Sequence, residues 1–355
     1  MLDIKVNAPA ILVVKPSSLG DIFHAFPAVE MLRRHWPEAK IDWLVRSEFT
    51  PVLEFYPHIR KTVEFNRREF NNPLKFPGAL KKILKDLRSE QYDMVIDFQG
   101  LMRSAFFTFC ARTERRIGFA SPREAIAGFF YNIKQQIPPQ SIHAVEKNIQ
   151  LVCGLTGQEF DVPQPEFMSP PAFKNKVDEL LTGFEGTALN TLGIIPGARW
   201  ESKRWPAEFF AKTVEKIQRG SSDMYFMVIG GPDDTEAAEF ICRHVPSKRI
   251  INLAGKTGYG ELVEAVSRCR FMLSNDSGPM HIAAAMGKKV FGVFGPTNPE
   301  RTGPYGGGHK IFQLPLDCIA CLKRECPFHT LDCHNIDPAN VADEICSNFN
   351  DGEKK

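Results

Sequence analysis

The sequence predicts an α/β protein of two parallel, doubly wound domains, and three observations carry that prediction. Continuous apolar runs recur, such as ILVV at 11–14 and MYFMVI at 224–229, the pattern of strands buried on both faces. Polar, glycine-containing loops and helical patterns follow the runs, and that alternation argues for a parallel sheet. At 355 residues the chain is long for one domain. The Pro-rich stretch DVPQPEFMSPP at 161–171 separates the halves, which places a first domain at 1–168, a linker region at 169–188 and a second domain at 189–355.

The first strand, 11–14, leads into Lys15-Pro16-Ser17-Ser18-Leu19-Gly20-Asp21 and then a helix through Phe26, Val29, Met31 and Leu32. Strands at 41–45 and 94–97, with a helix at 80–87, continue the first half. After a helix at 173–181, the second half runs through strands at 192–195, 224–229 and 250–253. Its most informative stretch is FMLSNDSGPMHIAAAMGKKVFGVFGP at 271–296. A short strand at 271–273 gives way to a turn cluster at 274–278, and Pro279 opens a helix, where its missing N–H is no loss. Gly287 suits the end of that helix, and 290–294 resume as a buried strand. A helix N-terminus at a carboxyl strand edge presents unpaired amides to an anion. By composition alone, Asp276 and Ser277 read as caps of that helix.

The net charge of +2 is close to neutral. Basic clusters such as Arg67-Arg68 and Lys81-Lys82-Lys85 suit an anionic acceptor or a membrane surface, and no nucleic-acid motif accompanies them. The apolar runs fall short of a membrane span, and the start lacks a basic segment followed by a long apolar core, so a cytoplasmic protein is expected. No G-x-G-x-x-G follows a strand, which removes the dinucleotide fingerprint. GPYGGGHK at 303–310 lacks the Ser or Thr of a phosphate-binding loop and reads as an ordinary loop.

Three ordered blocks, VVKPSSLGDIFHAFPAV near the start, PGARWESKRWP at 196–206 and SNDSGPMHIAAAMGKKVFGVFGPTNPERTGPYG at 274–306, resemble the bacterial lipopolysaccharide heptosyltransferases of glycosyltransferase family 9. The resemblance implies a GT-B fold, two Rossmann-like domains facing across a cleft, with the acceptor on the first and the nucleotide sugar on the second. It also implies inverting transfer of heptose from ADP-heptose to the inner core of lipopolysaccharide, Kdo-lipid A or a heptosylated core. No metal or other cofactor is implied. Peripheral contact with the cytoplasmic face of the inner membrane would follow from such an acceptor.

By the same resemblance Asp21 is the general base that takes the acceptor hydroxyl proton; its other reading is the cap of a helix beginning at Ile22. Lys203 opposes the diphosphate charge that develops as ADP leaves, with Arg199 and Arg204 as weaker partners. Asp276, Ser277 and Gly278 cradle the donor, and His281 and Glu261 are further donor ligands. Lys15, Ser18, Arg60, Arg67, Arg103 and Arg123 are the acceptor candidates. Loops 15–21, 196–204 and 274–278 are expected to converge on the cleft.

Cys318-x2-Cys321-x4-Cys326-x6-Cys333 has a spacing that allows a structural zinc, although reduced thiols are the default for a cytosolic chain. Two other function classes share the architecture: a sugar-nucleotide epimerase, which has no acceptor pocket, and a non-catalytic sugar-nucleotide-binding relative.

Overall fold

The computed structural model describes residues 7–221, 223–245 and 248–351. The chain divides into two compact units, Met1–Met168 and Ser169–Lys355. The strands of the first are β1 (Ala10–Val14), β2 (Lys40–Arg46), β3 (Ile59–Phe65), β4 (Met94–Asp97), β5 (Arg116–Phe119) and β6 (Ile133–Gln135). Those of the second are β7 (Thr191–Ile195), β8 (Tyr225–Val228), β9 (Ile250–Asn252), β10 (Phe271–Asn275), β11 (Lys289–Val293) and β12 (Lys310–Phe312).

Both sheets are parallel and six-stranded, ordered β3-β2-β1-β4-β5-β6 and β12-β11-β10-β7-β8-β9. Counted from the start of each unit, the two orders are the same. In each, the chain reverses direction across the sheet beside the first strand, so the crevice at a switch point opens between the first and fourth strands. In the first unit that crevice is flanked by residues 15–21 and 98–100. In the second it is flanked by 196–204 and 276–278, which brings together two of the loops expected to converge.

Burial explains the sheet centres. Ile11, Leu12, Val13 and Val14 are fully buried, as are Val95 and Ile96 beside them. The strands missing from the sequence reading are polar or short: IRKTVEF in β3, RIGF in β5, IKQ in β6 and KIF in β12. Strand β10 continues to Asn275, two residues into the expected turn, because Ser274 pairs with Ile195 and Asn275 with Val293 in buried ladders.

The Pro-rich stretch is packed instead of loose. The Phe167 ring lies 5.1 Å from that of Phe26 and 5.6 Å from that of Phe23, and the Met168 amide donates to the Phe55 carbonyl at 2.8 Å. Residues 169–188, expected as a linker region, hold the helix Pro171–Leu180. Its Val177 is buried, and its Phe173 ring lies against Gly260 so closely that a Cβ there would fall 2.4 Å from the ring.

One acceptor candidate is corrected at this level. Arg60 lies near the amino end of β3, away from the carboxyl edge, and its guanidinium grips fully buried Asp42 of β2 through two bonds of 2.8 and 2.7 Å. The Tyr92 hydroxyl donates to the same carboxylate at 2.9 Å. Arg60 is therefore a counter-ion of the core. Arg60→Ala is expected to lower the unfolding free energy by about 3–5 kcal/mol, the cost of stranding a buried charge. Urea unfolding checks this, and nucleotide binding by the folded variant should stay unchanged.

Candidate active site

In the second unit the site is built from the end of β10. Asn275 is fully buried, accepts from the Trp205 amide at 3.1 Å and donates to the Pro196 carbonyl at 2.7 Å. One side chain thereby pins both ends of the 196–205 segment. The Trp205 indole is buried too, and its Nε1 donates to the His334 carbonyl at 3.0 Å. Gly197 has no room for a side chain: a Cβ there would lie 2.1 Å from the Asp234 carboxylate, which in turn accepts from the Gly231 amide at 2.9 Å. The loops after β7 and β8 are interlocked by that contact.

This scaffold places Lys203, at the end of the short helix Glu201–Lys203, with its ammonium 2.7 Å from Asp276 Oδ2 and 4.7 Å from the centre of the Trp200 ring. Asp276 is 5% exposed, and the Thr302 hydroxyl lies 3.5 Å from the same oxygen. Neither Asp276 nor Ser277 caps the helix Gly278–Ala285. Ser277 occupies the cap position but makes no side-chain cap bond, its hydroxyl lying 3.2 Å from that of Ser274. The capping that composition favoured is thus absent, and no side chain satisfies the first-turn amides from the cap position. An ammonium has three donors. Lys203 can keep Asp276 and still meet an anion seated on those amides.

Of the other donor candidates, Arg199 is exposed on the loop after β7, and His281 is half-buried in the first helical turn. Arg204 is turned back on its own loop, bonding the Ala198 carbonyl at 2.8 Å and lying 3.6 Å from Asp234. Glu261 lies in the first turn of the helix Tyr259–Ser267, where one oxygen accepts from Lys176 at 2.6 Å. Burial pushes its carboxyl pKa up, but the bonds from Lys176 and the local backbone outweigh that and leave it below the usual range. Glu261 thus joins the helix Pro171–Leu180 to its own helix.

In the first unit the helix begins at Leu19, so Asp21 is its third residue and Ser18 is the cap residue. Asp21 Oδ2 accepts from the Ser18 amide at 2.9 Å and the Ser18 hydroxyl at 2.8 Å. The carboxylate is half-buried at the switch point. Lys15 is 5% exposed, and its ammonium donates to the Phe98 carbonyl at 2.8 Å. Burial pulls its pKa down, while Asp21 and Asp97 partly restore it.

Asp97, which sequence reasoning passed over, is fully buried at the end of β4. It accepts from the Gln99 amide at 2.7 Å, the Gly100 amide at 3.1 Å and the Tyr131 hydroxyl at 2.7 Å. Burial raises its pKa despite those bonds. A signal was available: MVID puts a carboxylate inside an otherwise apolar strand. Gly100 has φ +68°, and a Cβ there would lie 3.2 Å from the Arg123 amide, so glycine is needed for both reasons. Arg67, Arg103 and Arg123 are exposed after β3, β4 and β5, and they make no ion pair among the described residues. Asn275, Gly197 and Thr302 were likewise not singled out from sequence, because their roles arise from contacts far along the chain.

The loop at 303–310 is held by His309. Its Nδ1 accepts from the Val290 amide at 3.2 Å, and its Nε2 lies 3.3 Å from the Tyr305 carbonyl, so the neutral ring fits both contacts. Burial lowers its pKa below the ordinary 6.5. Between that value and the lower folded one, the unfolded chain holds more protons, so stability falls as pH drops through the window. Thermal unfolding from about pH 7.5 to about pH 5.5 should show that loss, and His309→Gln should reduce it, the remainder coming from His334 and His58, whose pKa values burial also lowers.

Comparison with known proteins gives the family. The profile of glycosyltransferase family 9 (heptosyltransferase) matches residues 80–331. Lipooligosaccharide heptosyltransferase 2 of Haemophilus influenzae is 30% identical over 315 residues, covering 86% of this chain and 88% of that protein. Lipopolysaccharide heptosyltransferase 1 of Pseudomonas aeruginosa is 28% identical over 324 residues, 90% of this chain and 87% of that one. Among solved structures, E. coli ADP-heptose lps heptosyltransferase II superposes with a TM-score of 0.79 at 22% identity, covering 97% of this chain and 99% of that one. E. coli heptosyltransferase WaaC with ADP gives 0.77 at 22%, with 96% and 99% coverage. These two structures share the fold.

Proposed function

The chain belongs to glycosyltransferase family 9, the heptosyltransferases, and from that premise we propose that it moves heptose from ADP-heptose to the inner core of lipopolysaccharide with inversion, Asp21 acting as general base. The observation that carries the donor half is the Lys203–Asp276 pair at 2.7 Å beside a helix N-terminus that no side chain caps. The diphosphate lies on the amides of that first turn, Gly278 permits close approach, and Lys203 opposes the charge that grows on the leaving ADP. Asp276 holds Lys203 in place and faces donor hydroxyls. Arg199, Ser277 and His281 are further donor contacts.

The first unit supplies the base. The acceptor hydroxyl gives its proton to Asp21 as its oxygen attacks the anomeric carbon, and the bond from that carbon to the ADP oxygen breaks on the opposite side. Ser18 fixes the carboxylate through Oδ2, and Lys15 lies buried nearby with its ammonium on the Phe98 carbonyl. Arg67, Arg103 and Arg123 meet the acid groups of the acceptor. No cofactor is required.

The acceptor class supports peripheral contact with the inner membrane. Leu74 is 93% exposed and Phe76 40% exposed at the start of the helix Phe76–Leu87, where Lys75, Lys81, Lys82 and Lys85 are also exposed. Apolar and basic side chains together are what an anionic bilayer surface attracts. No helix among the described residues is long and apolar enough to cross a membrane.

The test is ADP-heptose incubated with and without Kdo-lipid A, reading ADP release and product mass. Acceptor-dependent release with a heptose-sized mass gain is expected. Asp21→Asn should cut turnover by roughly 10²–10⁴-fold with donor binding retained, whereas Lys203→Ala should weaken ADP binding as well. Donor binding without transfer to any core acceptor would sink the acceptor assignment. Failure to bind ADP-heptose would sink the donor reading.

A further inference from the structure

Cys318, Cys321, Cys326 and Cys333 have no place in the transfer chemistry, yet all four line one cavity of about 130 Å³, together with Ser202 and Gly295. They are free thiols. The backbone around them is unusual: the non-glycine residues with left-handed φ among the described residues are Ala320 (58°), Leu322 (58°), His329 (56°) and Leu331 (52°), all within this one segment. Side chains rarely tolerate that conformation. The His329 amide donates to the Cys326 carbonyl at 3.2 Å, closing a turn within this segment. Cys333 shares the cavity wall with the other three cysteines, its sulfur close against Gly295. Four thiols lining one cavity are a donor set for a soft cation.

The same segment leans on the donor loop. Ser202 Oγ donates to the Lys323 carbonyl at 2.8 Å, and His334 Nε2 lies 2.7 Å from the Ser202 carbonyl. A Cβ on Gly295 would lie 3.0 Å from the Cys333 sulfur, and the Arg324 guanidinium lies 5.6 Å from the Trp200 ring centre. Ser202 is the residue before Lys203.

We propose that Cys318, Cys321, Cys326 and Cys333 form a tetrathiolate site for one thiophilic cation, zinc or ferrous iron, that braces the segment carrying Lys203. Soft sulfur ligands select these ions over magnesium or calcium, and four protein ligands close the shell, which makes the site structural. Each coordinating thiol releases its proton to solvent. Among the described residues no three potential ligands already close on a common point. Cys318 is the exposed member, and binding draws the four thiols of the cavity together around the ion. The bracing half of the proposal rests on Lys203 as a donor residue; the ion site does not.

The experiment measures zinc and iron in the purified full chain by plasma mass spectrometry, then adds cobalt(II) to reduced, metal-stripped protein. About one equivalent of zinc or iron per chain is expected, with the intense visible absorption of tetrahedral cobalt–thiolate. Cys326→Ser and Cys333→Ser should abolish both, and Cys153→Ser should leave both unchanged. Less than about a tenth of an equivalent, with no cobalt–thiolate band in the unmutated chain, overturns the site without reliance on any variant's folding. Calorimetry then compares ADP affinity with and without the ion, and about tenfold weakening on removal is expected. Unchanged affinity overturns the brace, whereas a native chain that binds its ion but no ADP overturns the nucleotide reading alone.

Discussion

The carboxyl edge of the second sheet depends on the side chain of Asn275. It is one of the few groups that can offer a donor and an acceptor at once from a fully buried position, and it spends both on the backbone at 196 and 205. Left unpaired, that carboxamide would cost about 1–3 kcal/mol for each stranded group. Paired, it fixes the span of the loop between two residues that cannot move, the end of a central strand and a buried tryptophan. Lys203 has little freedom left within that span, so its ammonium meets Asp276 without a large entropic cost. The precision of the proposed donor site is inherited from one amide.

The two switch points handle charge differently. In the second unit a lysine and an aspartate are in direct contact, and the lysine also covers a tryptophan face. In the first unit the buried Lys15 bonds a carbonyl, and the buried Asp97 bonds two amides and a tyrosine. Both of those groups are shifted toward neutrality by burial. The first arrangement presents a strong fixed cation, suited to a diphosphate. The second keeps charge low around Asp21, the group proposed to accept a proton.

Much of this was legible in the sequence because parallel strands buried on both faces cannot hide: β1, β4, β7 and β8 read as apolar runs with nearly their observed limits. Edge strands β3 and β12 escaped because one side of each lacks a neighbour, so polar residues are tolerated there. The 271–296 stretch announced a helix N-terminus at a strand edge, but its capping was misjudged. Asp276 and Ser277 have good cap chemistry, and only the distant Lys203 and nearby Ser274 draw them elsewhere. Arg60 failed for the same reason, since a surface-looking basic residue in sequence turned out to serve an aspartate 18 positions earlier. Local chemistry was readable; long-range partnership was not.

The family profile ends at residue 331, but the fold of the second unit does not. Beyond that point His334 caps the Trp205 indole, and Ile336, Val341, Ala342, Ile345 and Phe349 complete the core that Phe210, Val214 and Ile217 begin. The helix Pro338–Asp351 packs along the helix Ala207–Gly220 that follows the donor loop. A recombinant fragment cut at residue 331 would therefore keep Asp21, Lys203 and Asp276, lose Cys333, and expose a raw hydrophobic face in the second unit, making it prone to aggregate during expression.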